Sequence, residues 1–239
     1  MMTAAAAAAA AADYLTNCTH RWAYAESGAV AKAGTWEDAI GSLDATLLNN
    51  AEVKSAVGAL DLEYDTDDTA TLAAGHGLTG NTGTVMAWVS AESIADQFRV
   101  GVLDFNKAPI GDKLFVFGSL GNTTDKGRVD FTFDMGTSDY MAIRSDAVQV
   151  SAGGGWVHLA AVRSGVTGAV YVNGSPVAST VGNGKTTNWQ ALDRGNIGEV
   201  QPELATRRWD GLLDDIRIYS EAVSAAHISD IHNATKGSH

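Results

Sequence analysis

Trp209-Asp-Gly-Leu-Leu-Asp-Asp-Ile-Arg-Ile-Tyr219 decides the fold. It reads as a turn feeding a strand whose apolar side chains fall at Leu213, then Ile216 and Ile218. Directly after it comes Ser220-Glu-Ala-Val-Ser-Ala-Ala-His-Ile-Ser-Asp-Ile231. There Ser224 is placed to cap a short helix that carries Ile228 and Ile231 on one face. A closing strand followed by a short helix, late in a Gly-rich chain of strands, is a specific arrangement.

Upstream of that stretch, Gly155-Trp-Val-His-Leu-Ala-Ala-Val-Arg163 is a strong strand. Ala169-Val-Tyr-Val-Asn-Gly-Ser-Pro-Val-Ala178 predicts a hairpin turning at Asn173-Gly174, because both residues tolerate the positive φ of a type I′ turn. Pro176 suits a strand start or an edge. Residues 84–89 form an apolar run of strand length, suited to burial on both faces. Further strands are expected at residues 20–24, 60–64, 69–72, 98–105, 113–119, 128–133, 140–144, 194–199 and 207–219. Short strands at regular spacing, with Gly, Asn and Asp between them, argue for a sandwich or barrel. No linker and no repeat divides the chain. The organisation is an N-terminal arm over residues 1–19 and one β-sandwich over residues 20–239.

The 239 residues suffice for one large β domain. A net charge of −12 excludes a nucleic-acid partner, because no basic face could replace phosphate counterions. The acidic surface would instead attract cations such as calcium. A single cysteine, Cys18, leaves no internal disulfide. The arm carries an unbroken alanine run from Ala4 to Ala12, predicting a helix from residue 2 to about 17 if something holds it. No Lys or Arg precedes Arg21, so no secretion signal is expected, and no segment reads as a membrane span. A partner chain is the simplest neighbour for such an arm. Ala4, Ala8, Ala12, Tyr14 and Leu15 are its candidate assembly residues.

Four pieces together resemble the laminin-G-like branch of the concanavalin A-like lectin and glucanase superfamily. They are His20-Arg-Trp-Ala-Tyr24 with Leu43-Asp-Ala-Thr-Leu47; Val85-Met-Ala-Trp-Val89; the pair Gly155 to Arg163 and Val170-Tyr-Val-Asn-Gly174; and Trp209 to Tyr219. The resemblance covers most of residues 20–232. It implies an all-β fold: a two-sheet antiparallel jelly-roll sandwich with a concave face, loops at its rim and a short C-terminal helix. It also implies that Trp88 and Trp156 fill the core and that His158 meets a hydrogen-bond partner at a sheet surface. Entry-strand positions that are acidic in many relatives are Ala23 and Ala25 here. The superfamily hosts lectins, glycosidase accessory modules, pentraxin-like proteins and virion proteins, so fold alone does not settle function.

Three chemistries are testable against the residues. The glucanase branch uses carboxylates on alternate residues of one strand. Asp61, Glu63, Asp65 and Asp67 alternate, but the flanking Trp and Met pattern is missing, so no catalytic residue is assigned. No nucleophile elbow, zinc motif or Cys-x-x-Cys is present. A structural calcium ion needs converging oxygen ligands. Its candidates are Asp44, Asp65, Asp67, Asp68, and one of Asp214 and Asp215, which on a regular strand face opposite sides. On the simpler reading, one of that pair meets Arg217 or Arg163 and the other is solvated. Sugars stack on exposed aromatics and hydrogen-bond to amides. Trp36, Tyr140, Asn188, Trp189 and Trp209 lie among polar neighbours and could form such a platform, or else anchor loops on the core. Asn17, Asn122, Asn173 and Asn233 begin chance glycosylation sequons.

Three readings follow. The first is a non-enzymatic virion surface protein, such as a phage capsid decoration, head-fibre or tail protein, oligomerised or bound to a capsid partner through its arm. The second is a carbohydrate-binding module acting on surface glycans at an extracellular or cell-surface location. The third, ranked last, is a glycan-cleaving enzyme.

Overall fold

The computed structural model describes residues 14–73, 76, 78, 80–94, 97–106, 114–121, 126–134, 140–181, 188, 189, 192, 194–200 and 207–239. Their strands form two sheets in which every pairing is antiparallel. The first sheet runs β14 (Ser175–Val181), β13 (Thr167–Val172), β12 (Val157–Ser164), β7 (Thr82–Ser93), β16 (Asp210–Tyr219), β5 (Ala59–Leu62) and β4 (Glu52–Lys54). Beside that path, β1 (Cys18–Trp22) also pairs with β16. The second sheet runs β11 (Tyr140–Arg144), β10 (Val129–Asp134), β9 (Leu114–Gly121), β8 (Gln97–Asn106), β15 (Arg194–Ile197), β6 (Thr69–Leu72), β3 (Ala45–Leu48) and β2 (Thr35–Trp36). Two helices flank them, α1 (Tyr24–Ser27) and α2 (Ala225–Thr235). The jelly-roll sandwich expected from the sequence is the observed fold.

Alternation along the strands builds the core. Val85, Ala87 and Val89 of β7 and Leu159 and Ala161 of β12 point inward from the first sheet. Leu103, Phe105, Phe117, Phe131 and Phe133 meet them from the second. Residues in the opposite phase of the first sheet, Met86, Ala160, Val162 and Tyr219, form a separate apolar cluster with Cys18. Ile228 and Ile231 of α2, with Val223, close over that cluster, and Tyr14 and Leu15 pack at its edge. One face of the first sheet is therefore sealed by both ends of the described chain.

Several local expectations hold in detail. Asn173 and Gly174 take φ of 48° and 77°, and Val172 pairs with Ser175 across the two-residue turn. Ser224 Oγ accepts a hydrogen bond from the His227 backbone N–H at 3.2 Å, capping α2. The expected strand at residues 20–24 begins earlier, at Cys18, and stops at Trp22, because Tyr24 starts α1. The strand expected to reach Tyr64 ends at Leu62, where a 3₁₀ turn takes over from Tyr64 to Thr66.

The decisive strand contains a bulge. Asp214 pairs with Trp88 and Arg217 with Met86, so one extra residue is inserted on β16, with Asp215 at φ 47°. The insertion switches the inward phase from Leu213 to Ile216 and Ile218, all three fully buried. Two expectations drawn from the resemblance need correction. Trp88 lies on the covered outer face rather than in the main core, its Nε1 donating to Thr235 Oγ1 at 2.9 Å. Trp156 is half-buried, its ring edge-on to His239.

Cys18 is buried, with its thiol donating to the His20 carbonyl at 3.3 Å. Burial pushes that thiol up to about 11, against the pull of Arg217 and Arg21, so it stays protonated and inert at neutral pH.

Candidate glycan-binding face

The outer face of the second sheet is built by the polar half of its alternation. On β8, Leu103 and Phe105 point into the core, which turns Asp104 and Asn106 outward. On β10, Phe131 and Phe133 do the same for Asp130 and Thr132, and on β15 the inward Ile197 turns Asn196 outward. Register aligns these residues into rows. Ala142, Thr132, Val116, Asp104, Asn196, Thr71, Thr46 and Thr35 stand opposite one another across eight strands. On one side, Arg144, Asp130 and Gly118 form a second row. On the other, Tyr140 pairs with Asp134, and Asn106 with Arg194.

The middle of this face is buried. Asp104 is 0%, Asp130 and Thr132 1%, and Asn106 and Asn196 2% exposed. Thr71 is half-buried, and Thr46 and Arg144 are open to solvent. Asn106 Nδ2 donates to Asp104 Oδ2 at 2.7 Å, and Thr132 Oγ1 donates to Asp130 Oδ2 at 3.3 Å. Asn106 Oδ1 and Asn196 Nδ2 have no hydrogen-bond partner among the described residues. Buried amide groups without a partner cost free energy, and in folded proteins they mark a place where water or a ligand completes the set. The carboxylates, amides and hydroxyls among these residues supply donors and acceptors of the kind that grip sugar hydroxyls. Gly118 lets β9 come close to the β8 backbone, since a Cβ there would lie 2.3 Å from the Val100 carbonyl oxygen.

The residues singled out from sequence are placed differently. Trp36, Trp189 and Trp209 are buried, which corrects the platform reading and fits the alternative that their rings anchor loops on the core. Trp36 Nε1 donates to Ser27 Oγ at 3.0 Å. Trp189 Nε1 donates to the Thr82 carbonyl at 2.6 Å, and its ring meets Phe133 edge-on at 4.8 Å. Asn188 beside it is exposed. Tyr140 opens β11, its backbone paired with that of Asp134 on β10.

The calcium candidates do not converge. Asp44 Oδ1 caps the Asp38 N–H at 2.9 Å, and Asp65 is exposed in the 3₁₀ turn. Asp67 pairs with Arg208 at 2.5 Å. Asp68 ties the Asn50 and Glu63 N–H groups. Asp214 and Asp215 are both buried, where one was expected to be solvated; the bulge at Asp215 turns both into the fold. Asp214 accepts from the Tyr24 N–H at 2.8 Å and lies 2.9 Å from His239 Nε2. Asp215 takes both Arg217 nitrogens at 2.8 and 2.6 Å and Arg21 Nε at 2.7 Å. Burial pushes its carboxyl up, but Arg217 and Arg21 outweigh that and hold it below the usual range. Among the described residues, no group of three His, Cys, Asp or Glu side chains is placed to hold a metal ion. Arg163 does not pair with this site; its guanidinium stacks on Phe133 at 3.6 Å.

Asp61 pairs with Lys54, and Glu63 is exposed, with its carboxyl raised by desolvation and by the neighbouring Asp61, Glu92 and Asp210. The 3₁₀ turn breaks the alternation that would have aligned Asp65 and Asp67 with them. His158 is not at an open sheet surface; it lies beneath α2, 2% exposed. Of the assembly candidates, Tyr14 and Leu15 pack beside α2, whereas Ala4, Ala8 and Ala12 lie outside the described residues. The residues that sequence reading missed are Asp104, Asn106, Asp130, Thr132 and Asn196. Their signal was the alternation of Asp130 and Thr132 with Phe131 and Phe133 on β10, and of Asp104 and Asn106 with Leu103 and Phe105 on β8.

Two antiparallel sheets packed face to face, one with a polar outer face, define a lectin-type sandwich. The chain belongs to the concanavalin A-like lectin/glucanases superfamily, whose laminin-G-type family model matches residues 64–229. No curated protein matches the chain. Among solved structures it is similar to domain 4 of AbnA, an extracellular arabinanase from Geobacillus stearothermophilus, solved with arabinotriose. That match has 18% identity and a TM-score of 0.67, covering 90% of this chain and 98% of the other. It is also similar to the sialidase of Trypanosoma rangeli, at 15% identity and a TM-score of 0.61, covering 93% of this chain and 33% of that one. A botulinum neurotoxin type C structure, described with two ganglioside molecules, matches at 8% identity and a TM-score of 0.65, covering 94% of this chain and 52% of that one. The chain thus spans about a third of the sialidase and half of the toxin structure. At these identities the likeness is one of fold.

Proposed function

We propose that this domain is a non-catalytic glycan-binding module whose ligand lies across the polar rows of the second sheet. The observation that carries the reading is that the buried Asn106 Oδ1 and Asn196 Nδ2, near Asp104, lack a hydrogen-bond partner among the described residues. Sugar hydroxyls can donate to the first and accept from the second. Two relatives are described in complex or interaction with glycans, arabinotriose and gangliosides, which supports the same class of ligand here. The module would work at an extracellular, cell or virion surface.

The test is binding of the full chain to arabino-oligosaccharides and ganglioside glycans, with and without calcium, by calorimetry and on a glycan array. Asp104→Ala combined with Asn196→Ala should weaken binding by about tenfold or more, equivalent to about 1.4 kcal/mol, with the far-UV spectrum unchanged. Unaltered affinity in that variant sinks the assignment of the face. Release of new reducing ends during the assay would make the protein a hydrolase and sink the non-catalytic reading.

Assembly through the N-terminal arm, on a virion or as a homo-oligomer, is a second reading. It is favoured by the anchoring of Tyr14, whose carbonyl accepts from the Tyr219 hydroxyl at 2.7 Å. The described chain therefore begins at a fixed point beside α2. Light scattering of the full chain and of a chain beginning at Tyr14 should show an oligomer falling to a monomer. Equal masses count against it.

A further inference from the structure

The sealed face of the first sheet contains a group that neither glycan binding nor the arm uses. His158 is 2% exposed, and its Nδ1 has no hydrogen-bond partner among the described residues. The backbone holds it firmly: its N–H donates to Asn173 Oδ1 at 2.9 Å and its carbonyl accepts from the Asn173 N–H at 2.8 Å. The ring is boxed in by Trp88, centroid to centroid 5.2 Å, and by His232 of α2 at 5.8 Å. Trp88 in turn stacks on His232 at 5.5 Å and on His239 at 4.7 Å. The lid over His158 is thus α2 and the short tail behind it. The lid itself is held by few polar contacts: the Trp88 hydrogen bond to Thr235, and the pair between His239 and Asp214.

We propose that α2 with its tail is an acid-released cover: protonation of His158 ejects the helix from the first sheet while the sandwich stays folded. A charged imidazolium cannot stay in this box, because its free Nδ1–H would have no acceptor and little water. The charged surroundings do not rescue it. On β16, Asp215 attracts a positive charge at His158, but it is already paired by Arg217 and Arg21, and Arg217 repels that charge. From the lid, His232 and His239 add to the repulsion, and Lys236 bears on His232 in the same sense. Trp88 and Asn173, from β7 and the β13–β14 turn, carry no charge.

Burial, with the repulsion from Arg217, His232 and His239, drives the His158 imidazole down to about 3 when covered, Asp215 pulling the other way. Uncovered, it returns to an ordinary value near 6.5. The uncovered state therefore binds the proton more tightly throughout that interval. Docking is complete above about pH 6.5 and weakens by about tenfold for each pH unit below it, levelling off near pH 3. At pH 4.5 the docking equilibrium has fallen by about 100-fold. Loss of α2 uncovers Met86, Ala160, Val162 and Tyr219, and it frees the Tyr14 ring, which lies 5.8 Å from His227. One proton would then loosen both termini.

Amide hydrogen exchange on the full chain between pH 7.5 and 4.5, corrected for intrinsic rates, reads the cover directly. Amides of residues 225–235 should lose protection by about tenfold per pH unit below 6.5, while those of β7, β12 and the second sheet keep theirs. His158→Phe fills the box without a proton to gain and should flatten the dependence. His158→Gln serves the same purpose if the aromatic variant fails to fold. Undiminished protection of α2 at pH 4.5 overturns the proposal, as does loss of α2 and the sheets together. Equal acid sensitivity in both variants overturns it too. If neither variant folds, the ring nitrogens of His158 decide by NMR titration of the unmodified chain. A ring that protonates near pH 6.5 with α2 still docked is fatal to the idea.

Discussion

The two sheets bury their inner faces by the same rule and use their outer faces in opposite ways. Outward positions of the first sheet carry Met86, Trp88, Ala160 and Val162, and the chain covers them with its own helix and Tyr14. Outward positions of the second carry Asp104, Asn106, Asp130, Thr132 and Asn196, with Thr46 and Thr71 toward the rim. An apolar outer face calls for a cover supplied by the chain itself, because left open at neutral pH it would aggregate. The polar outer face holds two buried amide atoms without a partner among the described residues, and the proposed ligand would complete them. The contrast separates residues that hold the domain together from those to which glycan recognition is proposed.

The comparison breaks most readily at the anchors. Trp36→Ala removes a fully buried ring and its bond to Ser27, and should cost about 3–5 kcal/mol of stability. Urea unfolding measures that loss. Glycan affinity of the remaining folded protein should not move, whereas a tryptophan that stacks on sugar would lose affinity and little stability. Gly174→Val sharpens the other side. Its backbone sits at φ 77°, and a Cβ would lie 3.0 Å from the Ser229 Cα of α2. Left-handed strain and overpacking together should cost about 2–3 kcal/mol. That cost should appear as faster exchange in α2 with glycan binding retained. Equal damage to both properties would mean that the two outer faces are not independent.

Much of the fold was legible because it rests on local chemistry. Asn173-Gly174 announced its hairpin through φ, Ser224 announced the helix start through its hydroxyl, and Val85 to Val89 announced a central strand through unbroken apolarity. The candidate site was not legible for a geometric reason. Asp104, Thr132 and Asn196 come from three strands far apart in sequence, and each alone is an ordinary polar residue in an alternating strand. Only register lines them up. Trp36, Trp189 and Trp209 were picked for their polar neighbours and are buried. Polar neighbours in sequence say that a loop is near; they do not say which way a ring turns. Asp214 and Asp215 were misplaced because one left-handed residue, Asp215, cancels the rule that adjacent strand residues face opposite sides.

That same residue has a consequence for reading this chain beside its relatives. The bulge works as a parity switch: odd numbers point inward before it, even numbers after it. A gap misplaced by one residue there would exchange the inside and outside of the last four positions of β16, casting the buried Ile216 and Ile218 as ligand contacts and Arg217 as core. Residue roles carried over from another sandwich should therefore be counted from Tyr219 backward on one side of Asp215 and from Trp209 forward on the other.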